Sequence, residues 1–203
     1  MTDAQSSATQ TASLAKSDFS HETVLLYETV DAVLGKTPTK KQSKKVTEPQ
    51  GKLSGIFVDA TFGRGGHSKL LLESLSEDGQ LFVFDKDPEA IAVAEEIAKS
   101  DNRVTVVHDS FANITHCLQQ HGVSQVNGIM ADLGVSSPQL DDGSRGFSFM
   151  RDGAIDMRMD TSRGQSVGEW LQTVDEEDLA NVLFDFGEER HSRRIARAIK
   201  QME

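Results

Sequence analysis

Three carboxylates and one run of glycines stand where apolar strings give way to polar turns. Asp59 follows Ile56-Phe57-Val58, and Gly63-Arg64-Gly65-Gly66 comes just after it. Asp85 closes Leu81-Phe82-Val83-Phe84, and Asp132 closes Gly128-Ile129-Met130-Ala131. Glycines let backbone approach a ligand closely, and a helix starting after them offers unpaired N–H groups and the positive end of its dipole. The same glycines would equally serve a tight strand-to-helix turn that binds nothing. Asp85, about 20 residues beyond the loop, is placed to accept two hydrogen bonds from the hydroxyls of a ribose. Its other role would be to cap the next helix. Asp87 directly precedes Pro88 and is the better cap, which leaves Asp85 free.

The string DATFGRGGH does not match the G-x-G-x-x-G spacing of nicotinamide-binding loops, and Asp59 stands ahead of it. A carboxylate there suits a ligand carrying an ammonium group, such as the methionine end of S-adenosylmethionine. Asp132 opens DLGVSSPQLDD. The amino nitrogen of cytosine is a poor nucleophile because its lone pair is delocalised into the ring. An acceptor that grips the N–H hydrogens turns that lone pair toward a methyl donor, and positioning then supplies much of the rate. Asp132, or carbonyls near Ser136-Ser137-Pro138, are such acceptors; the alternative is that Asp132 only anchors its loop. Arg145, Phe147 and Phe149 interleave cation and aromatics in RGFSFMR, which suits stacking on an extruded base and pairing with phosphate. Ordinary packing of the two Phe rings explains the pattern as well. No His, Cys and Asp set has zinc spacing, so no metal is expected.

These groups need a scaffold that brings strand ends together. Apolar runs at 56–58, 81–84, 104–107 and 128–131 alternate with helical patterns at 67–76, after Pro88, and over 111–121, where Gly122 closes the last. That β-α-β-α-β-α-β order predicts an α/β fold: a parallel, Rossmann-like sheet with helices on both faces and ligands at the C-terminal strand ends. Residues 134–165 show no strand period. Residues 166–186 read as a helix pair with Asp175 as an N-cap, and 188–203 as a basic helix. Residues 1–20 read as a disordered polar tail, and 21–34 mix an apolar run with a helical face. The Lys-rich segment 35–53 reads as a surface loop.

Ten Phe and a 37% hydrophobic fraction allow a packed interior in a chain of 203 residues. No stretch reaches the ~18 apolar residues that span a bilayer, so no membrane is expected. One cysteine, Cys117, suits a reducing cytoplasm. The net charge of −11 argues against general adhesion to nucleic acid, but local basic patches exist. One is Lys36, Lys40, Lys41, Lys44, Lys45 and Lys52; the other is Arg190, Arg193, Arg194, Arg197 and Lys200.

The strings HETVLL, DATFGRGGHS, DKDPEAI, ADLGVSSPQLDDGSRGFSFMRDGAIDMRMD, RGQSVGEWL and FGEERHSRRIARAI closely resemble the bacterial RsmH-type (MraW) family of 16S ribosomal RNA cytosine-N4 methyltransferases. The resemblance covers residues 21–202 apart from the Lys-rich stretch. It implies S-adenosylmethionine as methyl donor, a decoding-centre cytidine in the small subunit as substrate, and pairing of two copies. It places cofactor contacts on Gly65, Gly66, His67, Asp85, Phe111, Asp132 and Gln139. On this basis residues 21–134 are the Rossmann-like methyltransferase part, and 135–203 a substrate loop and the start of a helical insert. The Lys-rich segment is longer than the family's turn, and the family's closing strands have no counterpart here, so a truncated chain is expected. A non-catalytic fragment that binds S-adenosylmethionine or RNA is the second reading. A nicotinamide-dependent oxidoreductase is the third, and Asp59 and the glycine spacing count against it.

Overall fold

The computed structural model describes residues 23–36 and 51–202. The tail expected over 1–20 lies outside them, as do Lys40, Lys41, Lys44 and Lys45. Four strands form one parallel sheet in the order β3-β2-β1-β4: β1 Ile56–Asp59, β2 Gln80–Asp85, β3 Val104–His108 and β4 Gly128–Met130. The chain adds β2 and β3 on one side of β1, then returns to lay β4 on the other. A crevice therefore opens at the strand ends between β1 and β4.

Strand alternation sorts the core into two layers. Phe57, Leu81 and Val83 face α1 (Leu26–Val33), α2 (Gly66–Ser74) and α3 (Pro88–Ser100), packing with Val30, Leu71, Leu75 and Ala94. Val58, Phe82 and Phe84 face the other way, onto Cys117 and Leu118 of α4 (Ile114–Gln120). Both faces are covered at β1 and β2, which is why these two strands read as continuous apolar runs, whereas Ile129 of β4 is 52% exposed.

Asp87 caps α3 by accepting the Glu89 N–H at 3.0 Å, with Pro88 in the first turn. The helix expected over 111–121 begins as a single 3-10 turn, Phe111–Asn113, before α4. β4 stops at Met130, paired with Asp59, so Asp132 lies two residues past the strand. The aperiodic stretch after it contains a short helix, α5 (Ser137–Asp141), and a 3-10 turn, Gly143–Arg145. Beyond it, α6 (Val167–Thr173), α7 (Glu176–Asp185) and α8 (Ser192–Lys200) enclose Leu179, Ala180 and Ala196 with Trp170 and Ile199. Asp175 caps α7 through the Asp178 N–H at 2.8 Å. Lys200 Nζ donates to the Leu171 carbonyl and Arg197 pairs with Glu176, while Arg190, Arg193 and Arg194 are exposed. No helix among the described residues is long and apolar enough to cross a membrane.

Candidate functional site

Asp59 ends β1 with 3% of its surface exposed. Its Oδ2 accepts the Ser68 hydroxyl at 2.6 Å and its Oδ1 the Thr61 N–H at 3.1 Å. Burial pushes this carboxyl above the ordinary value, and the Ser68 and Thr61 hydrogen bonds and the nearby His67 only partly oppose it. His67 and Ser68 sit on the first turn of α2, both buried. His67 Nε2 has no hydrogen-bond partner among the described residues.

A raised carboxyl pKa has a defined linkage. The folded chain holds the Asp59 proton over a range where the unfolded chain has lost it, so stability falls as pH rises through that range, which opens near 3.8. Asn cannot ionise and keeps an acceptor for one of the two donors. Asp59→Asn is therefore expected to become progressively more stable than the parent as pH climbs from about 4. The gap should level off once Asp59 is ionised in both states. Urea midpoints of the two proteins across a pH series check this; a constant gap would mean that Asp59 titrates alike folded and unfolded.

Gly65 enters α2 at φ +78°, where a Cβ would stand 2.7 Å from the Phe62 ring, so the turn itself requires glycine. Gly66 lies against Thr23, just ahead of α1. Asp85, at the end of β2, is not free as its sequence context suggested. Its Oδ2 accepts the Gly63 N–H at 2.8 Å and its Oδ1 the Asp87 N–H at 2.9 Å. The carboxylate braces the glycine loop to the next turn, and each oxygen keeps a lone pair for a further donor.

The structure moves two expected contacts inward. Arg145 is buried, with Nη1 donating to Asp87 Oδ2 at 2.8 Å and Nη2 to the carbonyls of Arg158 and Met159 at 3.2 Å each. It is an internal strut, not an arm offered to phosphate: its Nη donors are spent inside the chain, and its buried Nε has no partner among the described residues. Gln139 is also buried; its Nε2 donates to Asp87 Oδ2 at 2.8 Å and its Oε1 accepts the Ser136 N–H at 2.9 Å. Burial alone would raise the Asp87 carboxyl, but the Arg145, Gln139 and Glu89 donors hold it below the usual carboxylate range. The carbonyls of Ser136 and Pro138 accept the N–H groups of Leu140 and Asp142 within α5, and Ser137 begins that helix. These loop acceptors are thus helix carbonyls already engaged.

Asp132 is exposed. Its N–H donates to Thr61 Oγ1 at 2.6 Å, spanning the β1–β4 crevice, and its carboxylate makes no hydrogen bond among the described residues. Phe111 follows β3 and is exposed; Phe147 is half-buried, and Phe149 is 92% exposed. Neither Phe147 nor Phe149 belongs to the hydrogen-bonded set. An open cleft of about 500 Å³ lies between Lys86, Asp109 and Ser110 on one side and the 157–165 segment, with Asp160 and Arg163, on the other. No motif in the sequence marks this cleft; its only sequence signal is that Lys86 adjoins Asp85 and Ser110 adjoins Phe111. No His, Cys, Asp and Glu group suited to a metal ion occurs among the described residues.

The sequence model of the MraW methylase family matches residues 18–203. Ribosomal RNA small subunit methyltransferase H of Psychrobacter sp. (strain PRwf-1) is 73% identical over 202 residues, covering 100% of this chain and 57% of that protein. The protein of the same name from Psychrobacter arcticus is 67% identical, covering 91% and 55%. That from Acinetobacter baumannii (strain SDF) is 55% identical, covering 90% and 54%. The chain thus spans just over half the length of the curated relatives it matches.

Proposed function

We propose, on the premise that the chain belongs to the MraW methylase family, that it is the part of a cytoplasmic small-subunit ribosomal RNA methyltransferase that holds S-adenosylmethionine and presents its methyl group to a cytidine amino group (N4) in the decoding centre. Residues 21–134 form the cofactor side and 135–203 the substrate side. The reading is carried by one observation: an exposed, uncommitted Asp132 carboxylate is tethered at the β1–β4 crevice through its own N–H to Thr61.

The residues present fit the cofactor. Asp85 has lone pairs for two ribose hydroxyls, and its grip on Gly63 sets their distance from the glycine loop. Gly65 and Gly66 allow close backbone approach at the start of α2. Phe111 offers an exposed ring face to an adenine. The buried, unpartnered Nε2 of His67 calls for a polar partner. Asp59, behind the loop, holds the start of α2 through Ser68 and offers its carboxyl oxygens as acceptors on the side toward an ammonium group. Gln139 would contribute through the segment it anchors, since both ends of its amide are engaged inside the chain. When bound, S-adenosylmethionine supplies a sulfonium methyl group.

On the substrate side, the Asp132 carboxylate accepts an N–H of the cytosine amino group, restricts its rotation and turns the nitrogen lone pair toward the crevice. Phe149 offers an exposed ring for stacking on an extruded base.

Calorimetric titration with S-adenosylmethionine tests the cofactor half, with Asp85→Ala in parallel. Loss of two hydrogen bonds to a charged acceptor is expected to weaken binding at least about 10-fold. Equal affinity of parent and variant would remove Asp85 from the site. Transfer of labelled methyl to undermethylated small subunits, recovered on the cytosine amino group, tests the substrate half.

A further inference from the structure

We infer that Asp87 and Arg145 are positioning residues, a buried clamp that fixes the segment after β4 against the cofactor side and so sets where Asp132 and α5 stand relative to Asp85. The inference rests on the methyltransferase reading above and adds to it two residues that hold the two halves of the site in register.

The geometry is specific. Asp87 is joined to both halves. Its N–H donates to Asp85 Oδ1 at 2.9 Å, so Asp85 and Asp87 move together. Its Oδ1 caps α3 through Glu89, and its Oδ2 receives both Arg145 and Gln139 at 2.8 Å. These partners lie 58 and 52 residues further along the chain. Gln139 relays the anchor to the Ser136 N–H, at the entry to α5, three residues after Leu133. Arg145 reaches the other way as well, through Nη2 to the carbonyls of Arg158 and Met159, and its own carbonyl accepts the Met157 N–H at 2.9 Å. One guanidinium thereby ties the β2–α3 turn to the wall of the open cleft, and Gln139 ties the same Asp87 oxygen to α5.

Stability alone does not account for such a pair. Desolvating two charges costs about as much as their attraction returns, and apolar replacements of similar volume are often neutral or better. What a buried ion pair fixes well is register. Lys cannot replace Arg here, because a single ammonium cannot reach Asp87 and two carbonyls in one plane.

The test compares the parent with Arg145→Lys and with the double variant Asp87→Asn/Arg145→Gln. The double variant buries no unpaired charge, so it folds even where single changes do not. Asparagine in place of Asp87 keeps the backbone N–H to Asp85 and a cap for α3. Amide hydrogen exchange, cofactor affinity and kcat for methyl transfer are measured on each.

For the double variant the expected results are exchange over residues 132–145 at least about 10-fold faster, with β1 and β2 amides unchanged. Affinity for S-adenosylmethionine should stay within about threefold, and kcat should fall about 100-fold, as for a misplacement on the order of 1 Å. Arg145→Lys should recover part of the protection and little of the kcat. Unchanged exchange with unchanged kcat overturns the clamp. So does a parallel fall of affinity, kcat and thermal midpoint, which is the mark of a merely structural pair. A parent that binds no S-adenosylmethionine overturns the methyltransferase reading instead, and local exchange in the variants then decides the clamp by itself.

Discussion

Asp132→Ala is expected to lower methyl transfer to undermethylated small subunits by about 100-fold or more while changing folding stability by less than about 0.5 kcal/mol. Both halves follow from the same observation. The carboxylate is exposed and makes no hydrogen bond among the described residues, so its removal leaves no buried group unsatisfied. The tether that places residue 132 runs from its backbone N–H to Thr61 Oγ1, and alanine retains it. What the variant lacks is an acceptor for the amino N–H. If transfer is unchanged, Asp132 serves only to anchor its loop, and Thr61→Val, which removes the tether, becomes the damaging substitution. Initial rates with labelled methyl donor, together with urea denaturation of the same preparations, separate the two.

Phe84→Ala is expected to destabilise the chain by about 3–5 kcal/mol, a large share of the roughly 5–15 kcal/mol typical of a native domain. The ring has 0% exposure and packs with Val58, Phe82, Cys117 and Leu118 on the α4 face of the sheet. The Phe84 carbonyl accepts the Phe62 N–H at 2.9 Å, so the cavity would open beneath the glycine loop and next to Asp85. A fall of roughly 2 M in the urea midpoint is expected, with cofactor affinity declining as the folded population does. Phe149→Ala is the control: that ring is 92% exposed, and its removal should cost less than about 0.5 kcal/mol. A small loss for Phe84→Ala would mean that the α4 face repacks over the gap.

The sheet was legible because its central strands, β1 and β2, are buried on both faces and β3 and β4 keep apolar runs beside them. Leu81-Phe82-Val83-Phe84 has no polar interruption, and each such run in the sequence became a strand whose ends shift by at most one residue. Caps were legible where local chemistry decides them, as at Asp87 before Pro88 and Asp175 before an acidic first turn. α5 was not legible: five residues are too few to show a helical period, and Pro138 and Ser136 read equally well as loop. The direction taken by Arg145 was not legible either. Its partner lies 58 residues away, and nothing in RGFSFMR distinguishes an arginine turned inward from one turned outward. Asp85 shows the same limit. Its place at a strand end was readable, but its hold on Gly63 depends on the bend of the glycine loop. The glycines and Asp132 were found at strand ends because the topology of a parallel sheet puts them there whatever their side chains touch.

The strand order has a kinetic consequence. β1, β2 and β3 join neighbours in sequence, each across one helix, whereas β4 must return to β1, and the Thr61–Asp132 link spans 71 residues. Closing a loop of that length costs roughly 4 kcal/mol of chain entropy before any contact across it forms. Local pairings are therefore expected to come first, with the outer edge of β1 paired last. Asp132 takes its place only when β4 docks on that edge. During folding, then, the sheet precedes the crevice, and the groove proposed for the methyl acceptor is the last part of the sheet region to acquire its shape.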